Sequence, residues 1–198
     1  MTPTTRKKVV LQFTMQDQLG DAMCWAAVGV SCVNFYDPGS KWTQCQLAKE
    51  SMVPHPHDCC ANAEHSPCNT PWYLQNEKGI GSFVTAQIAD NFQEGFISFE
   101  QLMAELDQGR PVAYLLEIDI DGVLDGRSKF THFLIVAGYE QTTSEQNVVI
   151  YDSYFHKSEM AYQEFVTNYK CHGGVILGHN VTRGLVQYTF FSKPPNKV

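Results

Sequence analysis

The sequence predicts an α+β fold in which an N-terminal helical lobe packs against a C-terminal antiparallel β-sheet. Three observations lead there. Residues 23–35 (Met-Cys-Trp-Ala-Ala-Val-Gly-Val-Ser-Cys-Val-Asn-Phe) are apolar on nearly every face and contain no proline, so they form a buried helix. From Pro111 onward, β-branched and aromatic runs alternate with polar turns, as strands do. The two textures are segregated along the chain, helices first and strands afterwards, which separates α+β from an alternating βαβ pattern.

The elements follow in order. Gly20 or Asp21 stands where the first helix would be capped. Residues 43–52 form a short second helix. Residues 54–71 are loop-rich and carry His55, His57, His65 and the cysteines Cys59, Cys60 and Cys68. Ser98 opens a third helix, with Gln101 placed as a capping box requires, a stripe of Leu102, Met103 and Leu106, and Gly109 at its end. Strands are expected over 112–118, 130–139, 147–152 and 185–191, with a short helix on the sheet over 160–169. No repeat or linker interrupts the chain. Its 198 residues are expected to form one domain, 1–198, with a helical lobe over 1–97 and a sheet lobe over 98–198, large enough to hold a core without staples. A cleft between the lobes is the natural place for a site.

The formal net charge is −7, which excludes non-specific nucleic-acid binding and attraction to anionic membranes, because both need a basic surface. The basic start, Arg6-Lys7-Lys8, is followed by only Val9-Val10-Leu11 before Gln12, too short an apolar run for a secretory signal. No segment approaches a membrane span. The expectation is therefore a protein exported or injected without a conventional signal peptide, or one that stays in the cytoplasm.

The residues that bear chemistry are few. Cys24 lies at the start of the buried helix, where unpaired N–H groups and the macrodipole favour a thiolate. A small buried thiol is the bland alternative. His132 opens the run Thr-His-Phe-Leu-Ile-Val-Ala-Gly-Tyr, so it is attached to a rigid apolar strand. The histidines at 55, 57, 65, 156, 172 and 179 fall in polar loops or turns. A general base needs a partner for its second nitrogen, and Asp152 ends the next strand. A hairpin turning near residues 142–146 brings His132 and Asp152 to neighbouring strand ends, with a bulge or slanted register making up the unequal distances. Gln18, six residues before Cys24, is placed to donate to an oxyanion together with the Cys24 N–H, and Gln16 is its rival for that role.

As a set, Gln18…Cys24-Trp25-Ala26-Ala27, then His132-Phe133…Gly138-Tyr139, then Asp152, resembles the bacterial branch of the papain-like cysteine peptidases. The spacing from Gln to Cys and the Cys-Trp pair match that family, and so does the order Gln, Cys, His, Asp. Papain itself has Asn as third member. Gly20-Asp21-Ala22-Met23 replaces the signature that precedes the nucleophile in the cathepsins, which points away from the lysosomal group. A second block, Thr43-Gln44-Cys45-Gln46-Leu47-Ala48, Cys59-Cys60, Cys68-Asn69 and Trp72-Tyr73-Leu74, together with Gly109-Arg110-Pro111-Val112, is similar to type III effector cysteine proteases. The resemblance spans residues 12–170. It departs at Phe130-Thr131, where relatives often carry Gly-Gly before the His, so side chains here narrow or reshape the cleft.

The resemblance implies a papain-like fold and a thioester acyl-enzyme mechanism. Cys24 is the nucleophile, His132 the acid and base, Asp152 its orienter and Gln18 the oxyanion donor. It implies no metal and no organic cofactor, a protein or peptide substrate, and the role of a bacterial effector or toxin, with an inhibitor, chaperone or immunity protein as a further partner. The same triad also suits transamidation or deamidation, or processing after a double glycine, and a non-catalytic binding module is the third class.

Seven cysteines leave one unpaired if the others pair. Cys45, Cys59, Cys60 and Cys68 have poor spacing for zinc, and in an oxidising compartment they are expected to form disulfides. Cys32 and Cys171 are expected to be buried or unpaired. The segment with Glu117, Asp119, Asp121 and Asp125 is expected to be a solvated hairpin loop, or an acidic patch that draws basic substrates toward the cleft.

Overall fold

Residues that alternate between two apolar faces build the second half of the chain into one antiparallel sheet. The structure is a computed structural model and describes residues 6–56, 58–62, 65–121, 128–170, 174–176 and 178–195. In chain order the elements are β1 (Lys7–Val10), α1 (Cys24–Tyr36), α2 (Gln44–Ser51), α3 (Ser82–Thr85), β2 (Ala89–Glu94) and α4 (Phe99–Asp107). They continue with β3 (Val112–Ile120), β4 (Ser128–Gln141), β5 (Gln146–Asp152), β6 (His156–Ala161), α5 (Tyr162–Asn168), β7 (Val175–Ile176) and β8 (His179–Ser192). The sheet runs β2-β8-β3-β4-β5-β6, with β1 beside β4 and β7 beside β8. The α+β class is as the sequence predicts.

Both faces of the sheet are covered. Successive strand residues point to opposite sides, and the two sides collect two cores. Phe133, Ile135, Ala137, Val149 and Tyr151 pack with Trp25, Val28, Leu47 and Phe83 from α1, α2 and α3. Leu134, Val136, Val148 and Ile150 pack with Leu102, Leu106, Phe165 and Val166 from α4 and α5. This is why β4 and β5 read as continuous apolar runs rather than half-polar strands. In α1 every residue from Cys24 to Val33 is buried.

Two capping boxes are formed, Thr43 with Gln46 on α2 and Ser98 with Gln101 on α4. The expected cap of α1 is corrected. Met23, not Gly20 or Asp21, occupies the cap position, and no side chain caps the helix. The backbone turns once more before the helix begins, with Met23 N–H on Gly20 O. Two further strands come from the first half of the chain. β1 and β2 are short and polar (Lys7-Lys8, Asp90-Asn91), so they lack the alternation that marks a strand in sequence.

The β4–β5 hairpin turns at Thr142–Glu145, where the Thr142 N–H donates to Glu145 O at 2.9 Å. Its register shifts between Val136 and Gly138, and the irregularity brings Asp152 opposite Leu134. Directly opposed residues share a face, as do residues two apart on one strand. His132, Leu134 and Asp152 therefore lie on one side of the sheet. Gly138 sits where β1 crosses closely: a Cβ there would stand 2.9 Å from Val9 O.

Candidate active site

The strand register delivers His132 and Asp152 to each other. His132 Nε2 and Asp152 Oδ1 are 2.8 Å apart, with His132 2% exposed and Asp152 1% exposed. The Cys24 thiol lies near enough to the imidazole to act on it. Burial by itself would lower the imidazole pKa. The Asp152 carboxylate, through charge and hydrogen bond, and Cys24 after it, outweigh burial and raise the pKa to about 10. For Asp152 burial works toward a higher value, but His132 and the backbone donors hold the carboxyl below its ordinary range. Asp152 Oδ1 also accepts from the N–H groups of Tyr154 (2.8 Å) and Phe155 (3.1 Å), and Oδ2 from the Tyr169 hydroxyl (3.0 Å). The Phe130 and Phe155 rings stand near the imidazole, each centroid 6.4 Å from it.

Gln18 approaches from the loop before α1. Its Nε2 donates to Gly20 O and Asp21 O, both at 2.9 Å, and its Oε1 accepts from Ser153 Oγ at 3.0 Å. Its backbone N–H donates to Ser153 O. Ser153 follows Asp152 directly, so the end of β5 holds the imidazole and the glutamine at once. Gln16 is engaged elsewhere: its Oε1 accepts from Gln44 Nε2 and its N–H donates to Ser31 Oγ.

The cysteine-rich loop braces this region. Four cysteines form two disulfides, Cys45–Cys60 and Cys59–Cys68. Asn69, next to Cys68, accepts the Ala22 N–H on Oδ1 at 2.8 Å, and Thr70 O accepts the Trp25 indole N–H at 2.9 Å. Gly20 lies so near Asn69 that an added Cβ would be 2.6 Å from its Oδ1. Cys32 is free and buried within α1, where burial pushes its thiol far up. Cys171 lies outside the described residues, as does Asp125. Glu117 pairs with Lys129 at 2.6 Å, and Asp121 accepts from the backbone and side chain of Asn180.

Cys24 opens into a cleft of about 440 Å³ walled by Ala22, Trp25, Trp72, Phe130, Thr131 and Phe133, with Glu117 and Lys129 at its margin. A second hollow of about 570 Å³ continues it across Trp72, Thr131 and Phe133 toward Leu115, Tyr188 and Phe190. Phe130 and Thr131, where the sequence departs from its relatives, thus line the cleft. Sequence reasoning missed Gln44, Asn69, Ser153 and Tyr169. Gln44 and Asn69 stood within the segments that carry the resemblance and Ser153 beside Asp152, but none of these showed its role. Among the described residues no group of His, Cys, Asp and Glu is arranged to hold a metal ion, and no helix is long and apolar enough to cross a membrane.

A family model described as "Peptidase_C39 like family" matches residues 10–176. Among solved structures, digestive procathepsin L 3 of the Tenebrio molitor larval midgut is similar at 13% identity. The match covers 90% of this chain and 69% of that one, with a TM-score of 0.44. No curated protein matches the chain.

Proposed function

The chain belongs to the Peptidase_C39-like family of cysteine peptidases, and on that premise we propose that it is an endopeptidase acting through a Cys24 thioester. The observation that supports this most directly is the buried His132 imidazole, bonded to Asp152 and near the Cys24 thiol that faces the cleft.

In the reactive form the Cys24 proton has passed to His132, leaving sulfur as the nucleophile. The sulfur attacks the scissile carbonyl carbon, and the oxygen takes up the charge. Gln18 Nε2 and the Cys24 N–H stabilise that oxyanion, Gln18 giving up its exposed bond to Asp21 O to do so. The uncapped start of α1 suits this, since no side chain occupies its first N–H groups. As the C–N bond breaks, His132 passes its proton to the leaving amine and a thioester remains. His132 then takes a proton from water, the hydroxyl adds to the thioester, and the carboxylic acid leaves as the thiolate re-forms. Asp152 holds the ring in place throughout.

Incubation with unfolded protein substrates, followed by mass spectrometry of new termini, tests the reading. The parent should generate new termini and Cys24→Ala none. Cleavage by Cys24→Ala at the parent rate overturns the assignment, and side-chain mass changes without new termini turn the activity toward deamidation or transamidation.

The finer role we propose is that of a bacterial effector or toxin directed at proteins of another cell. It is supported by the resemblance of the 43–48, 59–60, 68–69 and 72–74 segments to effector proteases, and two disulfides suit passage through an oxidising compartment on the way there. An inhibitor, chaperone or immunity protein covering the cleft belongs with that role. Toxicity of the parent, but not of Cys24→Ala, when made inside a foreign cell is its test.

A further inference from the structure

We propose that Gln44, on α2, is the positioning residue of the oxyanion site: it fixes the backbone on both sides of Gln18 and so sets where the Gln18 amide stands. This rests on the cysteine-peptidase reading above, in which Gln18 is an oxyanion donor.

Gln44 is polar, yet only 3% exposed. A buried amide is tolerated when its hydrogen-bonding groups are satisfied, and all of these are spent on one stretch of chain. Nε2 donates to Asp17 O at 2.8 Å and to Gln16 Oε1 at 3.2 Å, and Oε1 accepts the Leu19 N–H at 3.1 Å. Asp17 and Leu19 flank Gln18. Residues 11–18 belong to no helix or strand, so no regular ladder holds them. Gln44 itself is firmly mounted. It is the first residue of α2, after the Thr43 cap and before Cys45, which is tied to Cys60. From the other side Ser153 holds the Gln18 N–H and Oε1. With both restraints in place, the Gln18 amide has one orientation, Nε2 toward Gly20, Asp21 and the start of α1. An oxyanion donor acts only when it lies at hydrogen-bond distance from the charge that develops, so a small shift of this loop removes most of its effect.

Gln44→Glu tests the inference, because it keeps the shape and the acceptor for Leu19 but removes both N–H donors. Gln44→Asn, uncharged and one methylene shorter, serves if the glutamate variant does not fold. In a variant shown by thermal melting to be folded, kcat should fall about 10- to 100-fold with KM nearly unchanged, the range below loss of a whole oxyanion donor. A peptide aldehyde, whose carbonyl carbon bonds to the Cys24 sulfur while its oxygen enters the oxyanion site, should lose affinity by the same factor. Alkylation of Cys24 by iodoacetamide, which builds no oxyanion, should keep its rate. In a Gln18→Ala background the Gln44 substitution should have little further effect. Parent-level kcat in a folded variant, an alkylation rate that falls as far as kcat, or losses that multiply with Gln18→Ala each overturn the role of Gln44. A parent that neither cleaves peptides nor holds the aldehyde overturns the peptidase reading and this inference with it.

Discussion

Asp152 is out of contact with water and accepts from His132, two backbone N–H groups and Tyr169. Its charge keeps His132 protonated, and the sign of the pH dependence follows. His132 has a folded pKa of about 10 against an ordinary 6.5. Its contribution to stability is thus complete below 6.5 and fades as pH rises through 10. Asp152 is depressed from 3.8, so its contribution is present above 3.8 and lost as pH falls through the lower folded value. Asp152→Asn should retain some activity, since an amide can still orient the ring, but the alkaline limb of kcat/KM should move from near 10 toward 6.5. A limb that stays in place in pH-rate profiles of the variant would show that Asp152 does not set the imidazole. Thiol reactivity should separate Cys24 from Cys32. A thiol-directed epoxide on native protein, with peptide mapping, should label Cys24 and leave Cys32 unlabelled, because Cys32 is sealed inside α1 and its thiol is pushed far up.

At the scale of elements, the Cys59–Cys68 disulfide connects a loop without regular structure to the start of α1. Asn69 and Thr70, the next two residues, hold Ala22 and Trp25. Replacing both cysteines by serine should cost about 2–3 kcal/mol, the usual worth of a short cross-linked loop. It should also lower kcat by loosening the segment between Gln18 and Cys24. Thermal melts and turnover of the variant check both, and full activity in a destabilised variant would mean that Asn69 and Thr70 stay in place without the cross-link. Ser98→Ala on α4 serves as a contrast. It removes a capping box on α4, which packs in a different core from α1, and should cost about 1 kcal/mol of stability with turnover intact.

Over the whole molecule, the cleft is apolar along its walls and edged by charge. Trp72, Phe130 and Phe133 offer ring surfaces next to Cys24, while Glu117 and Lys129 pair at the margin. Substrates with a large apolar side chain near the scissile bond should be favoured. Phe133→Ala should raise their KM about 5- to 150-fold, the equivalent of the roughly 1–3 kcal/mol that an apolar contact provides, and leave small substrates little affected. A chain with a net charge of −7 should also capture basic substrates faster at low salt than at high salt. Progress curves across ionic strengths would expose a rate that does not change.

The class of fold, the helix that carries Cys24, the capping box on α4 and the β4–β5 hairpin were all legible from the chain alone. Each depends on local patterning: an unbroken apolar run, a Ser-x-x-Gln spacing, two β-branched runs about a polar turn. Cys24, His132 and Asp152 stood out as candidates because few polar groups sit at the ends of apolar elements, and Gln18 because of its six-residue spacing from Cys24 within the resemblance. Tertiary structure decided what their spacing could not. The register shift near Ala137 brings Asp152 within reach of His132, and counting residues from the turn gave only an approximate match. The roles of Gln44, Asn69, Ser153 and Tyr169 were not legible in the sequence, because a hydrogen bond between residues 25, 47, 135 or 17 positions apart leaves no local pattern. The short polar strands β1 and β2 are strands only because β4 and β8 offer edges to pair with. Local chemistry chose the elements and the reactive groups, and long-range packing set the distances between them.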